Sequence, residues 1–271
     1  LDVVFIKLMN LGMFGAALAT AISYFTCFLF ILWYFIYKTE LKMQAKDFKF
    51  HIPIIKEITS LSFVSFSRQG VVSILAIILN HTLYSYGGEN SIIVYGIISK
   101  TLIFALFPVL GITQGFIPIA GYNYGAEKYD RVKESIQISI KYAALLASLV
   151  FLLILYYAAP IIAIFTTNEN IIAEAASALR WVFAASPVIA VQLIGAAYFQ
   201  AAGKAKKALL LTLSKQGFFL IPLVLILPNF FGIFGVWVAF PIADVLSTLL
   251  TAYFLKKEMN TKLIKTADGL L

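Results

Sequence analysis

The chain has 271 residues, of which 61% are apolar and only 13% are charged, and its mean hydropathy is +0.92. A soluble domain is usually about half apolar and about a quarter charged, so this composition excludes an ordinary water-soluble fold and favours one that turns apolar surface to lipid. The net charge of +8 comes from basic residues in short stretches between apolar runs, a pattern that does not suggest nucleic acid as a partner.

Seven apolar stretches of membrane-spanning length follow one another along the chain. A spanning helix needs roughly 20 apolar residues, and runs such as 8–37 and 142–168 contain no acidic or basic residue at all. The predicted fold class is therefore an all-α integral membrane protein, a bundle of about seven transmembrane helices. In chain order we predict helices near 12–37, 58–85, 91–121, 132–158, 171–202, 206–227 and 232–255.

Basic residues alternate between the connections of these helices. Lysines and arginines occur in the first, third and fifth connections and in the tail, whereas the second, fourth and sixth connections carry none. Because basic loops stay in the cytoplasm, we predict a multi-pass protein of the plasma membrane with its C-terminus in the cytoplasm. Lys46, Arg131, Lys204 and Lys262 are expected inside the cell, and Gly88 and Glu169 outside.

The first and last predicted helices resemble each other. Segments 12–22 and 232–242 align at a constant offset, with identity at five of the aligned positions, Gly12, Phe14, Gly15, Ala19 and Ile22. Both helices run inward by the charge pattern, which predicts a parallel repeat of the kind that relates the two bundles of many transporters. Leu1 is not a methionine and residues 1–10 read like the end of a helix, so we expect most of the first copy to precede the chain.

Two motifs resemble one transporter family. The stretch SFSRQG at 65–70, followed by Asn80, is similar to the seventh helix of multidrug and toxic compound extrusion (MATE) transporters. The stretch GITQGFIPIAGYNYGA at 111–126 is similar to the end of their eighth helix and its loop.

Other stretches extend this resemblance over nearly the whole chain. Residues 199–205 are similar to the exit of the tenth helix, and residues 235–244 look like the twelfth. Leu1-Asp2 with residues 12–20 resembles the junction of helices five and six. The chain would then be about half of a two-lobe, twelve-helix transporter and would lack helices one to four and most of helix five of the N-terminal lobe. The implied division is 1–37 for the end of the N-terminal lobe, 38–57 for a cytoplasmic linker, 58–255 for the C-terminal six-helix lobe and 256–271 for a cytoplasmic tail.

The resemblance also implies a function. We expect a multidrug efflux antiporter that exports amphipathic organic cations in exchange for protons, or sodium, by alternating access around a midplane site. One subgroup of the family has carboxylates in its seventh and tenth helices, but 58–88 and 181–203 contain no acid at membrane depth. We therefore favour proton coupling, with the coupling carboxylate outside this chain.

Two alternatives remain open from the sequence. A lipid-linked oligosaccharide flippase would have a related architecture, and its cavity should be strongly basic to hold a pyrophosphate. A seven-helix receptor would match the helix number and orientation, although the parallel repeat and the lack of an extracellular cysteine pair disfavour it.

Catalysis and metal binding are not predicted. The single cysteine, Cys27, excludes an internal disulfide, and the isolated His51 and His81 suggest no metal site. No His, Asp and Glu cluster and no Ser/His arrangement is evident, so we expect neither an enzyme nor a cofactor beyond the coupling ion.

Polar residues inside the predicted helices are the candidates for the substrate or ion pathway. Charges inside a bilayer are costly and therefore mark candidate functional sites, although amides can equally tie helices together. Asp244 is the one carboxylate near the midplane, and it must be protonated or paired with Arg68, Arg180 or Lys215. We expect it mainly to hold helices together. The candidates are Arg68, Gln69, Asn80, Gln114, Arg180, Gln192, Gln200, Gln216 and Asp244.

Overall fold

The computed structural model describes residues 1–38 and 51–260, apart from the side chain of Lys7 and most side chains between 54 and 68. Every regular element in these ranges is helical, and several helices are long and apolar, so the prediction of an all-α membrane fold is confirmed. A π-helical segment (Val3–Leu8) comes first, and a second one (Ser214–Leu220) separates α6 from α7. The α-helices are α1 (Gly12–Tyr37), α2 (Ile52–Gly125), α3 (Tyr129–Ala163), α4 (Glu169–Val182), α5 (Ser186–Ala201), α6 (Ala205–Leu213), α7 (Ile221–Ile226), α8 (Pro228–Phe231) and α9 (Ile233–Glu258).

The chain divides into two compact units, residues 1–59 and 60–271. The first unit contains α1 and the start of α2, and the second contains the rest of α2 and all later helices. Most of the predicted linker at 38–57, together with Lys46 and Lys262, lies outside the described residues. The division into two lobes therefore stays a prediction.

Helix α2 is too long to cross a membrane once. Its apolar part, Gln69–Gly125, has 57 residues and would be roughly 85 Å long at 1.5 Å per residue, against a hydrocarbon thickness of about 30 Å. Gly88 breaks the helix with φ 66° and ψ −162°, a conformation open to glycine because it has no Cβ. Val72 and Leu110, on either side of the break, line the same cavity, so the chain folds back at Gly88. The predicted helices at 58–85 and 91–121 are correctly separated, but both are longer than predicted.

Prolines interrupt two spans that the sequence predicts as continuous. The predicted helix 171–202 is two helices, α4 and α5, bent by 51°, and Pro187 stands in the first turn of α5 where its missing N–H is tolerated. The predicted helix 206–227 contains the π-helical segment, which ends just before Pro222. When the break at Gly88 and the bent pair are counted, the described part of the chain has seven spans.

Two groups of buried apolar side chains form the core of the second unit. One includes Leu79, Ile98 and Leu179, and the other includes Ile136 and Ile194. Helix α9 contributes to both groups and has buried residues along most of its length, so it is the central helix of this unit. Many large apolar side chains elsewhere are exposed, as expected for helices whose outer faces contact lipid.

The repeat seen in the sequence has the same local geometry in both copies. Gly12 is the first residue of α1 and has φ 51°, and Gly232 directly precedes α9 and has φ 58°. Three residues later, a Cβ added to Gly15 would lie 2.9 Å from the carbonyl oxygen of Phe5, and one added to Gly235 would lie 2.6 Å from that of Leu227. Both 26-residue helices therefore begin in close contact with the backbone of the preceding segment.

We expect Gly235→Ala to destabilise the protein. The added methyl group would meet backbone atoms of Leu227 and Pro228, which cannot move aside as a flexible side chain can, and overpacking typically costs roughly 1–3 kcal/mol. The apparent melting temperature of the detergent-solubilised protein should fall. Gly96→Ala is the matched control, since its methyl group meets nothing within 4 Å and should leave the melting temperature unchanged or higher. Equal melting temperatures for the two variants would contradict the close approach at Gly235.

Candidate functional site

A cavity of about 330 Å³ lies within the second unit. An apolar pocket with a few polar groups is the usual form of a small-molecule site. Its polar members are Tyr95, Ser186, Lys215, Gln216 and Asp244, and its walls come from α2, α4, α5, the second π-helical segment and α9. The apolar members are Val72, Leu75, Ala76, Leu102, Ile103, Leu106, Leu110, Val182, Ile189, Leu220 and Phe240.

An ion pair between Lys215 and Asp244 carries the charge of this cavity. Lys215 Nζ lies 2.5 Å from Asp244 Oδ1, and the side chains are 23% and 7% exposed, respectively. The contact has the distance of an ion pair without the angles of a hydrogen bond, and Asp244 Oδ1 accepts no hydrogen bond from the described residues. Asp244 is therefore the buried member of the pair, and Lys215 is the more accessible one.

The π-helical segment Ser214–Leu220 places Lys215 and its neighbour Gln216 in the cavity wall. The N–H of Ile221 donates to the carbonyl oxygen of Gln216, five residues earlier instead of four. Pro222 has no N–H for the carbonyl of Phe218, and its ring would crowd that carbonyl in a regular α-helix. The wider turn accommodates the proline, and such π-helical turns are frequent at functional sites.

The hydroxyl groups near Asp244 are bonded to backbone. Ser247 Oγ donates to the Asp244 carbonyl at 3.1 Å, and Thr251 Oγ1 donates to the Ser247 carbonyl at 2.8 Å. Thr248 Oγ1 donates to the Val188 carbonyl at 3.3 Å and so connects α9 with α5. These hydroxyls satisfy their own hydrogen-bonding needs and leave Lys215 as the partner of the Asp244 carboxylate.

Among the predicted pathway residues whose side chains the structure describes, Gln216 and Asp244 line the cavity. Gln192 is buried elsewhere and donates Nε2 to the Leu211 carbonyl at 3.5 Å, a contact between helices. Arg180 is exposed and donates Nε to the Leu155 carbonyl at 3.0 Å, so it is not the partner of Asp244. The side chain of Arg68 lies outside the described part of the structure.

The remaining candidates are exposed on the surface of the chain. They are Gln69, Asn80, Gln114 and Gln200. Gln69 and Asn80 share one face of α2 with Ser73 and Ala76, because these positions follow the helical spacing i, i+4, i+7 and i+11, and all four residues are exposed. We call this face the α2 stripe. Ala76 also belongs to the cavity wall, so the stripe adjoins the cavity.

Three polar residues of the cavity were missed as pathway candidates. Lys215 could have been included by the same criterion as Asp244, since it is a charge within a predicted span. Tyr95 and Ser186 carry no such signal, because neither is charged and uncharged hydroxyl side chains are common in apolar helices.

A second charged cluster ties the end of α9 to neighbouring helices. Glu258 is 6% exposed and pairs with both Lys204 and Lys207, the latter at 3.0 Å from Oε2. The two ammonium groups also stand over aromatic rings, Lys204 at 5.6 Å from the centroid of Tyr124 and Lys207 at 5.4 Å from that of Phe199. These contacts extend α9 to Glu258, beyond the predicted end at 255.

The bundle of long apolar helices and the cavity with its Lys215–Asp244 ion pair define a multi-pass membrane protein of transporter architecture. The chain matches the profile of the MatE family over residues 64–226, more than half of its length, and it belongs to this family. The family is one of transporters, so the prediction that the chain is not an enzyme is confirmed.

Curated relatives agree with this assignment. The chain is 26% identical over 269 residues to the multidrug export protein MepA of Staphylococcus haemolyticus, covering 99% of this chain and 59% of the relative. It is 25% identical to MepA of Staphylococcus aureus strain N315, covering 99% and 60%. The chain thus spans about three fifths of the length of the relatives it matches.

Solved structures show the same fold. The MATE multidrug transporter DinF-BH matches with a TM-score of 0.80 at 36% identity, over 96% of this chain and 58% of that one. A transporter of the MOP superfamily from Pyrococcus furiosus matches with a TM-score of 0.83 at 24% identity, over 96% and 59%.

We expect loss of the lysine of the ion pair to destabilise the protein more than neutralisation of the aspartate. Lys215→Met leaves a buried carboxylate unpaired, a change that typically costs about 3–5 kcal/mol. Asp244→Asn should cost less, roughly 1–2 kcal/mol, because the lysine head group can move towards water on its flexible stem. Thermal unfolding of the purified protein measures both changes.

The double variant Lys215→Met, Asp244→Leu is the control for this prediction. It removes both charges and should recover most of the stability lost in Lys215→Met. Equal stability of the wild type and both single variants would contradict a stabilising ion pair.

Proposed function

We propose that the intact protein is a multidrug efflux antiporter that exports amphipathic organic cations across the plasma membrane in exchange for protons. Sodium is the second choice of coupling ion. The observation that carries this proposal is the exposed α2 stripe beside an apolar cavity, in a chain of the MatE family. The names of the relatives, as multidrug export proteins, favour the same activity.

The α2 stripe favours a water-filled space between two lobes. Polar amides that face lipid are costly, and in membrane bundles they point to other helices or to a water-filled cavity. Gln69 and Asn80 are exposed on this chain, so a facing lobe would give them such an environment. The relatives exceed this chain by about two fifths of their length, enough for that lobe.

The ion pair bears on the coupling mechanism. The Asp244 carboxylate is paired with the Lys215 ammonium group at 2.5 Å, which suits a role in this lobe other than ion coupling. Because 58–88 and 181–203 contain no acid at membrane depth, the proposed coupling carboxylate lies outside this chain. Alternating access is proposed to arise from rocking of two bundles about a midplane site.

The charge of the cavity disfavours the flippase alternative. Binding of a lipid-linked pyrophosphate requires an excess of positive charge, whereas Asp244 compensates Lys215 in the cavity wall. Membership of the MatE family leaves no support for the receptor alternative.

Efflux of ethidium from energised cells tests the function. Cells that express the intact protein should retain less dye than empty-vector cells, whereas residues 1–271 alone should give no efflux because the central space needs two lobes. Asn80→Leu in the intact protein should reduce efflux several-fold without loss of folded yield, and Ile77→Leu, a conservative exchange at an exposed apolar position of α2, should leave it unchanged. Retention equal to the empty vector by the intact protein would contradict the proposal.

Cysteine labelling from outside intact cells tests the orientation. The native Cys27 is exposed and is first replaced by serine. A membrane-impermeant maleimide should then label Glu169→Cys and not Arg131→Cys, because basic connections are cytoplasmic. The reverse labelling pattern would contradict the orientation and the cytoplasmic C-terminus.

A further inference from the structure

The two charged side chains that line the cavity differ in exposure. The Lys215 side chain is 23% exposed and that of Asp244 only 7%, and both line the cavity, so the lysine is the more accessible member of the pair. A cationic ligand that entered without any rearrangement would meet a like charge in an apolar surrounding, where repulsion is strong.

This repulsion is removed if the ligand cation replaces the Lys215 ammonium group as the partner of Asp244. Lysine has a flexible stem of four carbons and a compact, strongly hydrated head group that can turn towards water, whereas the short aspartate side chain on α9 cannot leave its buried position. A ligand cation can thus replace Lys215 at Asp244 at small cost, but an anion that drew Lys215 away would leave a lone buried carboxylate.

The backbone and the contact geometry both suit such an exchange. Lys215 lies in the π-helical segment Ser214–Leu220, whose i to i−5 hydrogen bonds are rarer and less regular than those of an α-helix. Its contact with Asp244 Oδ1 lacks the angles of a hydrogen bond, unlike the paired hydrogen bonds of an arginine and a carboxylate.

Two aromatic rings beside the ion pair suit an organic cation. Tyr95 and Phe240 line the cavity with their ring centroids 6.3 Å apart and their planes inclined by 38°. Aromatic faces attract quaternary and delocalised cations, which carry little hydration to lose. One carboxylate in this cavity neutralises one positive charge.

We propose that Lys215 is a tethered counter-cation, which occupies Asp244 when the cavity is empty and is displaced by the charged group of a monovalent lipophilic cation. Lys215 thereby sets how tightly this lobe binds cations. The proposal rests on the proposed function and adds to it a residue that determines charge selectivity and a class of ligand.

Binding of two ions of matched shape and opposite charge tests the proposal. Tetraphenylphosphonium and tetraphenylborate are titrated at pH 8 into the purified intact transporter and its variants. Lys215→Gln should tighten tetraphenylphosphonium binding by about tenfold or more, since close charge pairs across an interface are typically coupled by at least 1.5 kcal/mol. The same variant should weaken tetraphenylborate binding.

Two further variants separate charge from folding. Lys215→Arg keeps the charge and can pair with both carboxylate oxygens, so it should weaken tetraphenylphosphonium binding several-fold while the protein stays folded. Lys215→Gln combined with Asp244→Asn should lose the gain of Lys215→Gln.

Unchanged or weaker tetraphenylphosphonium binding by Lys215→Gln would overturn the proposal. If that variant does not fold, wild-type affinity in Lys215→Arg would overturn it instead. These results concern binding, whereas the proposed function fails if the wild-type intact protein exports no dye. The two failures are therefore distinct.

Discussion

Lipid offers no hydrogen-bond partner to the backbone of a membrane-spanning chain. Every N–H and C=O in a span must bond within the chain, which leaves helices as the solution for this sequence. Departures from regular helix are then tolerated where the backbone is covered by protein or borders a cavity. In this chain the break between α4 and α5 and the π-helical segment both adjoin the cavity, which Val182, Ser186 and Lys215 help to line. The site therefore lies beside two of the breaks in regular α-helix.

Lipid also restricts how charged side chains are arranged, because a charge that is buried needs a partner. Among the residues that the structure describes, the buried carboxylates Asp244 and Glu258 each have a lysine partner. Glu258 has two of them at the end of α9, where the lysines also contact aromatic rings, an arrangement suited to a permanent helix contact. Asp244 has one, Lys215, which borders an open cavity. Because Asp244 has a single partner and lines a cavity, whereas Glu258 has two partners, we assign packing to the first cluster and ligand exchange to the second.

Much of the fold could be predicted from the sequence because hydropathy measures transfer to lipid directly. The spans, the turn near Gly88 and the repeat of Gly12 and Gly232 all follow from run length, glycine position and local pattern. The bend between α4 and α5 could not, since Pro187 is compatible with either a straight or a broken span. The partner of Asp244 could not be selected among Arg68, Arg180 and Lys215, because pairing depends on how helices rotate against one another. The exposed Gln69 and Asn80 show that an amide in a span can lie outside a cavity formed by one lobe, and their role in transport stays a prediction.

We propose that this lobe serves ion-coupled export of monovalent organic cations. The most direct measurement is transport by the purified intact protein in sealed lipid vesicles under an imposed pH gradient, with tetraphenylphosphonium as the transported ion and no membrane potential. A proton-coupled antiporter should accumulate the cation on the acidic side, against its concentration gradient. The imposed pH gradient should dissipate faster when the cation is present. Cation movement that only equilibrates across the membrane, whether a proton or a sodium gradient is imposed, would contradict this proposal.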